Sequence, residues 1–263
     1  INKISKNNEP QLKAIKEHKR IDLSEENSYM FKSWNSENAP ILPMIQLEKN
    51  KDKTNKLWIH TNAIAERLDL STKKNLEIFI DRFESFPLLD KWQNYLSENI
   101  TNASKFNIGE INEAISLCIN LNKDNKIINW SFHLTKVKCA LIVENKHLDA
   151  LLTRKKSSRI TSRILKPIKD NIEDLDKILE IANDLRAQHL LNGKIEIPKP
   201  ANNIDSLNEF FVHNPGDYSV EYFEPLRKND IQTYLSPILY EANKIWFKHS
   251  SKYNLNNASY ITQ

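Results

Sequence analysis

The chain has 263 residues, 40% of them hydrophobic and 27% charged, with a formal net charge of +4. This is the composition of a folded globular protein with a sizeable core. No apolar run reaches the roughly 18 residues of a membrane span and no signal peptide opens the chain, so no membrane partner is expected.

In chain order, residues 1–20 read as a polar linker with a short helix at Gln11 to His18. A start at Ile1 rather than Met suggests a trimmed sequence. A new texture begins at "RIDL" (20–23), and one domain is expected over 21–263. "KLWIHT" (56–61) reads as a strand, and "PLLDKWQNYLSENI" as a helix with Pro87 near its start and Leu88, Leu89, Trp92 and Leu96 on one face. Residues 113–143 carry the clearest β pattern. Two apolar runs flank the polar turn "NKDN", and Ile128, Trp130, Phe132 and Leu134 alternate with polar neighbours, which predicts a long hairpin with one buried face. Cys118 and Cys139 fall inside these runs and read as two buried, reduced thiols, consistent with a cytoplasmic setting.

"NKHLDALL" predicts a short helix. A longer one is predicted over 168–192, with Pro167 in its first turn, Gly193 at its C-terminal cap and an apolar stripe through Ile172, Leu175, Leu179 and Leu185. Its acids Asp170, Glu173, Asp174, Asp176, Glu180 and Asp184 lie opposite that stripe, as on a solvated face. "KIEIP", "EFFVH" and "YSVEYFEPL" read as strands, and a last helix runs from about Asn229 toward His249 with Pro237 inside it. The order of elements predicts an α+β fold, a mixed and mostly antiparallel sheet with packed helices.

Segment 153–166, "TRKKSSRITSRILK", holds three of the chain's eight arginines and no acid. It reads either as a solvated basic loop or as a phosphate-contacting patch built on Arg154, Arg159 and Arg163, because guanidinium and serine donors suit phosphate oxygens. The histidines are scattered, and no HExxH, CxxC, GxSxG or P-loop pattern occurs. A lone strand histidine such as His60 or His133 is more often a satisfied core or rim residue than a ligand.

"NEAISLCINLNKDNKIINWSFHLTKVK…HLDALL" resembles the catalytic RNB domain of the ribonuclease II/ribonuclease R family. "RIDL", "LWIHTNAIAERL", "LRAQHLLNGKIEIP" and "ILYEAN" are similar to further family segments in the same order. The resemblance spans roughly residues 20–260 and implies the N-terminal and central part of such a domain, truncated at its C-terminus. It implies hydrolytic 3′→5′ degradation of RNA, with Mg²⁺ held by an aspartate cluster just before the "LWIH" strand. Two-metal phosphodiester cleavage needs such converging carboxylates.

Here that stretch is "FKSWNSENAPILPMIQLE" (31–48). The family's last aspartates fall on or beside Pro40, Leu42 and Pro43, and a further one on Ala63. The tyrosine of another family motif falls near Asn145. Between Lys32 and Leu47 the only acid is Glu37, so Asn35, Glu37 and Asn38 are the weak remaining candidates for catalysis. The expectation is a domain with a decayed metal site, no resident Mg²⁺ and single-stranded RNA as partner. Backbone contacts are expected from Lys136, Lys138, Arg154, Arg159 and Arg163, and Trp34, Phe79 and Trp130 are candidate stacking groups, although such aromatics more often belong to a core. An active exoribonuclease and an RNA-independent scaffold are the alternative readings.

Overall fold

The computed structural model describes residues 18–32, 42–50, 52, 54–68, 86–88, 91–93, 98–155, 162–194 and 231–253, with side chains from 100 onward in the third-last of these stretches. Its strands are β1 (Ile21–Asp22), β2 (Ser28–Lys32), β3 (Met44–Lys49), β4 (Asn55–Asn62), β5 (Phe86–Leu88), β6 (Lys91–Gln93), β7 (Ile111–Leu121) and β8 (Ile127–Glu144). Its helices are α1 (Glu98–Ala103), α2 (Asn145–Thr153), α3 (Ile172–Leu191) and α4 (Ile231–Lys252).

Six strands form one sheet in the order β1-β8-β2-β3-β4-β7, and β8 also pairs with β7. The pairing therefore closes on itself. β8 runs antiparallel to β7 from Ile127 to Lys138, then parallel to β2 from Cys139 to Glu144. β1 lies parallel beside Thr135 and Lys136. The expected α+β architecture and the long hairpin are both present.

Strand alternation sorts the side chains onto two faces. Tyr29, Phe31, Ile45, Leu47, Leu57, Ile59, Leu117 and Ile119 point outward and join the buried faces of α3 and α4 in one core. In α3, Leu175, Ile178, Ile181 and Leu185 are at most 3% exposed. Burying each such side chain contributes about 1.5–3 kcal/mol. The inner face carries Met30, Met44, Ala114, Val137 and Cys139. Among them sit Ser28, Gln46, His60, Ser116 and Thr135, all fully buried. His60 Nδ1 shares a 2.7 Å hydrogen bond with Ser116 Oγ, which in turn lies 2.6 Å from Thr135 Oγ1.

The helix predicted over 168–192 begins later. Lys166–Asn171 form a 3-10 turn with Pro167 in it, and the α-helix starts at Ile172. Gly193 closes it with φ of +79°. Lys194 N–H donates to His189 O and Gly193 N–H to Leu190 O, the double bond of a Schellman ending.

The acidic side of α3 is not a plain solvated face. Asp174 accepts from the Tyr29 hydroxyl at 2.9 Å and pairs with Lys49 at 2.7 Å. Asp184 accepts from Asn125 Nδ2 at 2.6 Å, which ties the hairpin turn to the helix. Asp176 pairs with Arg154.

The helix expected over 87–100 is replaced. β5 and β6 form a two-stranded hairpin, Pro87 opposite Trp92, and a helix starts only at Glu98. Both strands of such a hairpin are edges, so the missing Pro87 N–H is tolerated, and short apolar spacing does not separate a helix from a strand. The expected helix at Gln11 to His18 and the expected strands "KIEIP", "EFFVH" and "YSVEYFEPL" lie outside the described residues, apart from His18 and Lys194 at their margins.

Two stability measurements follow from this packing. The Arg154 guanidinium, 18% exposed, also donates to Leu151 O at 2.7 Å. Arg154→Ala should lower the urea-unfolding free energy by about 1.5–3 kcal/mol, the range for hydrogen bonds to charged groups. A loss near zero would show that the pair is solvent-screened.

The second concerns pH. Burial pushes the His60 pKa down from 6.5 to about 3, so the imidazole is neutral in the folded protein. Between those values the unfolded chain binds the extra proton. Stability is therefore full above about pH 6.5 and falls as acid is added toward pH 3, by at most about 1.4 kcal/mol per pH unit for this group. Burial lowers His147 in the same direction. His60→Gln should flatten the decline of the urea midpoint between pH 6.5 and 4, and an unchanged slope would contradict the assignment.

Candidate functional site

The start of β3 and the end of β4 meet at the Met44–His60 pair. Leu42 and Pro43 lead into β3, while Thr61 and Asn62 complete β4. The loop after α1 comes over this end with Ser104, Lys105 and Phe106. Together with His60 these residues line a pocket of about 120 Å³.

The β4 exit fixes the floor. Ala63 is fully buried and its N–H donates to Glu113 O at 3.1 Å. Thr61 Oγ1 donates to Ile115 O at 3.2 Å. His60 enters from inside the closed sheet, stacked on Trp58 at 6.3 Å with 12° between the ring planes. Its Nδ1 is engaged by Ser116, and its Nε2 has no hydrogen-bond partner among the described residues. Both amide atoms of buried Gln46 share that condition. Lys105 Nζ donates to Asn102 Oδ1 at 2.9 Å.

Leu42 and Pro43, two of the positions at which the family resemblance sets aspartates, line this pocket, so its fit to Mg²⁺ is directly testable. A hard divalent cation needs several oxygen ligands, most of them carboxylates. The lining offers two aliphatic side chains, one phenyl ring, a neutral imidazole, three neutral polar groups and a lysine cation. Among the described residues no carboxylate lines it, and Lys105 opposes a second positive charge. Two described acids on the flanking segments have cationic partners: Glu66 pairs with Arg20 at 2.6 Å, and Glu113 lies 3.9 Å from Arg67. The described residues do not fit a magnesium site.

The remaining expected site residues are spread over the fold. Asn35, Glu37, Asn38, Trp34, Phe79 and Arg159 lie outside the described residues. Lys136 and Lys138 are both exposed on β8, two residues apart and therefore on one face. Lys136 stands opposite Asp22 of β1. Arg163 is exposed in the turn before the 3-10 segment, whereas Arg154 is held inside the fold by Asp176 and Leu151. Trp130 is half-buried, its ring 5.8 Å from that of Phe132. Asn145 Oδ1 accepts from Ile231 N–H at 3.1 Å and so joins the start of α4 to the end of the sheet.

Sequence reasoning treated His60 as a lone strand histidine. Its hydrogen-bond partner Ser116 lies 56 residues away on β7, and no spacing rule connects them. The period-2 pattern does place Ser116 and Thr135 on inward positions, which was the available signal.

Among solved structures, the chain is similar to Mycoplasma genitalium RNase R in complex with ribose-methylated single-stranded RNA. The TM-score is 0.63 and the identity 13%, over 89% of this chain and 34% of that one. It is similar to the Dss1 exoribonuclease of Candida glabrata, an active-site mutant, with TM-score 0.64 and 15% identity over 90% of this chain and 30% of that one. It is also similar to yeast Ssd1, described as a pseudonuclease, with TM-score 0.54 and 14% identity over 68% of this chain and 21% of that one. The chain thus spans about a third or less of the length of these proteins, and at such identities they share its fold. No curated protein sequence matches it. The RNB domain family matches residues 20–263, nearly the whole chain, and the protein belongs to that family.

Proposed function

We propose that this RNB domain binds single-stranded RNA without hydrolysing it. The observation that carries the reading is the lining of the β3/β4 pocket. Leu42 and Pro43 stand where the resemblance sets metal-binding aspartates, with Lys105 and Phe106 facing the same space, and buried Ala63, next in the chain to the lining residue Asn62, stands for another. Proline and leucine donate no carboxylate, and a fixed proline φ restricts how the loop before β3 folds. In-line attack on a phosphodiester needs an activated water and a counter-charge on the leaving oxygen. The described lining supplies neither, so we derive no hydrolytic step through it.

RNA binding has separate support. RNase R, which shares the fold, has been solved with single-stranded and with double-stranded RNA. Lys136 and Lys138 are exposed side by side on β8, and Arg163 is exposed in the basic segment that also contains Arg159. Such cations contact phosphates whatever the base sequence. Cys118 and Cys139 are free and buried, which suits a reducing compartment such as the cytoplasm. Among the described residues no helix is long and apolar enough to cross a membrane.

The test uses the full chain with 3′-tailed, end-labelled RNA and Mg²⁺ or Mn²⁺. The RNA should remain intact while bound, and chelation should leave the affinity unchanged. Processive shortening that Glu37→Gln abolishes would restore catalysis to the loop before β3.

A second measurement addresses the cations. Lys136→Ala and Lys138→Ala should each weaken binding of all sequences alike and reduce the slope of log affinity against log salt by about 0.7. Absence of any salt-dependent RNA binding would favour the RNA-independent scaffold.

A further inference from the structure

A second surface lies on the outer side of the closed sheet, where the last turns of α4 cross the first half of β8. Trp130 and Phe132 point the same way from β8, two residues apart. Trp246 and His249 lie three residues apart on one face of α4, and Tyr253 follows four residues later in the turn just past its end. His249 is the hub. Its ring centroid lies 4.7 Å from Phe132, 4.8 Å from Tyr253, 5.8 Å from Trp130 and 6.1 Å from Trp246.

Five rings joined through His249 ordinarily belong to a core, yet this cluster opens to water. Tyr253 is 58% exposed and Trp246 39%. Contiguous apolar surface left in water marks an interaction site more often than an accident. The charge around it selects the partner. From Ala242 to Gln263 the sequence contains no acid, and it places lysines at 244, 248 and 252. The Lys252 ammonium lies 5.6 Å from the Tyr253 ring centroid. Along β8, no acid occurs from Ile127 to Val143. Exposed rings interleaved with cations of one sign match a polyanion that carries flat π faces. A protein partner of ordinary composition has no need of that one-signed rim.

We propose that Trp246, His249 and Tyr253, flanked by Lys252, form a stacking platform for the bases of single-stranded RNA. The platform rests on the RNA-binding reading and adds a site to it, away from the β3/β4 pocket. Bases stack on the exposed Tyr253 and Trp246 rings. Phe132 and Trp130 back them from β8, and Lys248 and Lys252 face the phosphates, while Lys244 is paired with Glu241 at 3.4 Å. Stacking of this kind tolerates any base, so the platform holds the strand without choosing a sequence.

The experiment measures fluorescence anisotropy of the full chain with labelled oligouridylate. Inorganic polyphosphate of similar charge serves as a competitor that lacks bases. Tyr253→Ala should weaken oligouridylate binding about tenfold, within the range known for loss of one stacked base. The salt slope should stay unchanged, because no phosphate contact is removed. Tyr253→Phe should bind as the wild type does, and polyphosphate affinity should not change. Tyr253 sits exposed beyond the last residue of α4, and circular dichroism of each variant checks that it folds. Trp246→Ala, checked in the same way, should reproduce the loss.

If both alanine variants bind as wild type while Lys136→Ala weakens binding, the platform is overturned and the RNA reading stands. If the wild-type chain binds no RNA, both are overturned. Self-association abolished by Tyr253→Ala, with RNA affinity unmoved, would give the surface to a second copy of the chain and overturn the platform.

Discussion

The arrangement depends on a single long strand. β8 is 18 residues long and holds two neighbours in succession along its length, β7 first and β2 afterward. Without that change of partner, β8 would stay beside β7 alone, β2 would be an edge of an open sheet, and the inner residues would face water. With it, the sheet has an inside. Every feature discussed above is placed by this closure: the buried polar row, the pocket at the β3/β4 end, and the ring cluster outside the first half of β8. The helices then cover the outer face, with α3 tied to the sheet through Tyr29 and Lys49 and to α2 through Arg154.

The inside is costly to maintain. Polar groups buried without partners are destabilising. Here Ser116 and Thr135 satisfy each other and one nitrogen of His60, while the other nitrogen and the Gln46 amide find no protein partner among the described residues. A neutral imidazole lowers that cost, since a buried imidazolium would require a counter-charge. His60 therefore reaches the pocket as an uncharged group. The lining combines it with aliphatic carbons, a phenyl ring and an ammonium, which suits contact with an organic ligand better than coordination of a hard cation.

Much of this was legible in local pattern. The alternation around Trp130, Phe132 and Leu134 marked the hairpin, and Gly193 marked the end of α3, because both signals are set by neighbours in the chain. The segment around Pro87 misled, since apolar residues at helical spacing over a short stretch also fit a small hairpin. The acids of α3 misled in another way. Their partners, Tyr29, Lys49, Asn125 and Arg154, come from distant segments, and helix periodicity reports only which face they occupy. The site divides along the same line. The absence of aspartates before β3 could be read from residue types alone. The pocket that Leu42, Pro43 and His60 form with the loop after α1 arises from tertiary closure and has no linear signature. The ring hub at His249 was invisible for the same reason, although Trp130 was already a candidate for stacking.

The central claim is that the β3/β4 end of this RNB domain has no magnesium site. The most direct measurement is a titration of the isotope-labelled full chain with Mn²⁺, following paramagnetic broadening of amide resonances from residues 33 to 63. The account predicts no selective broadening of His60, Thr61 and Asn62, or of the segment containing Asn35, Glu37 and Asn38, at metal equivalent to protein. Selective broadening of those resonances, saturating at one or two equivalents and reversed by chelation, would contradict it.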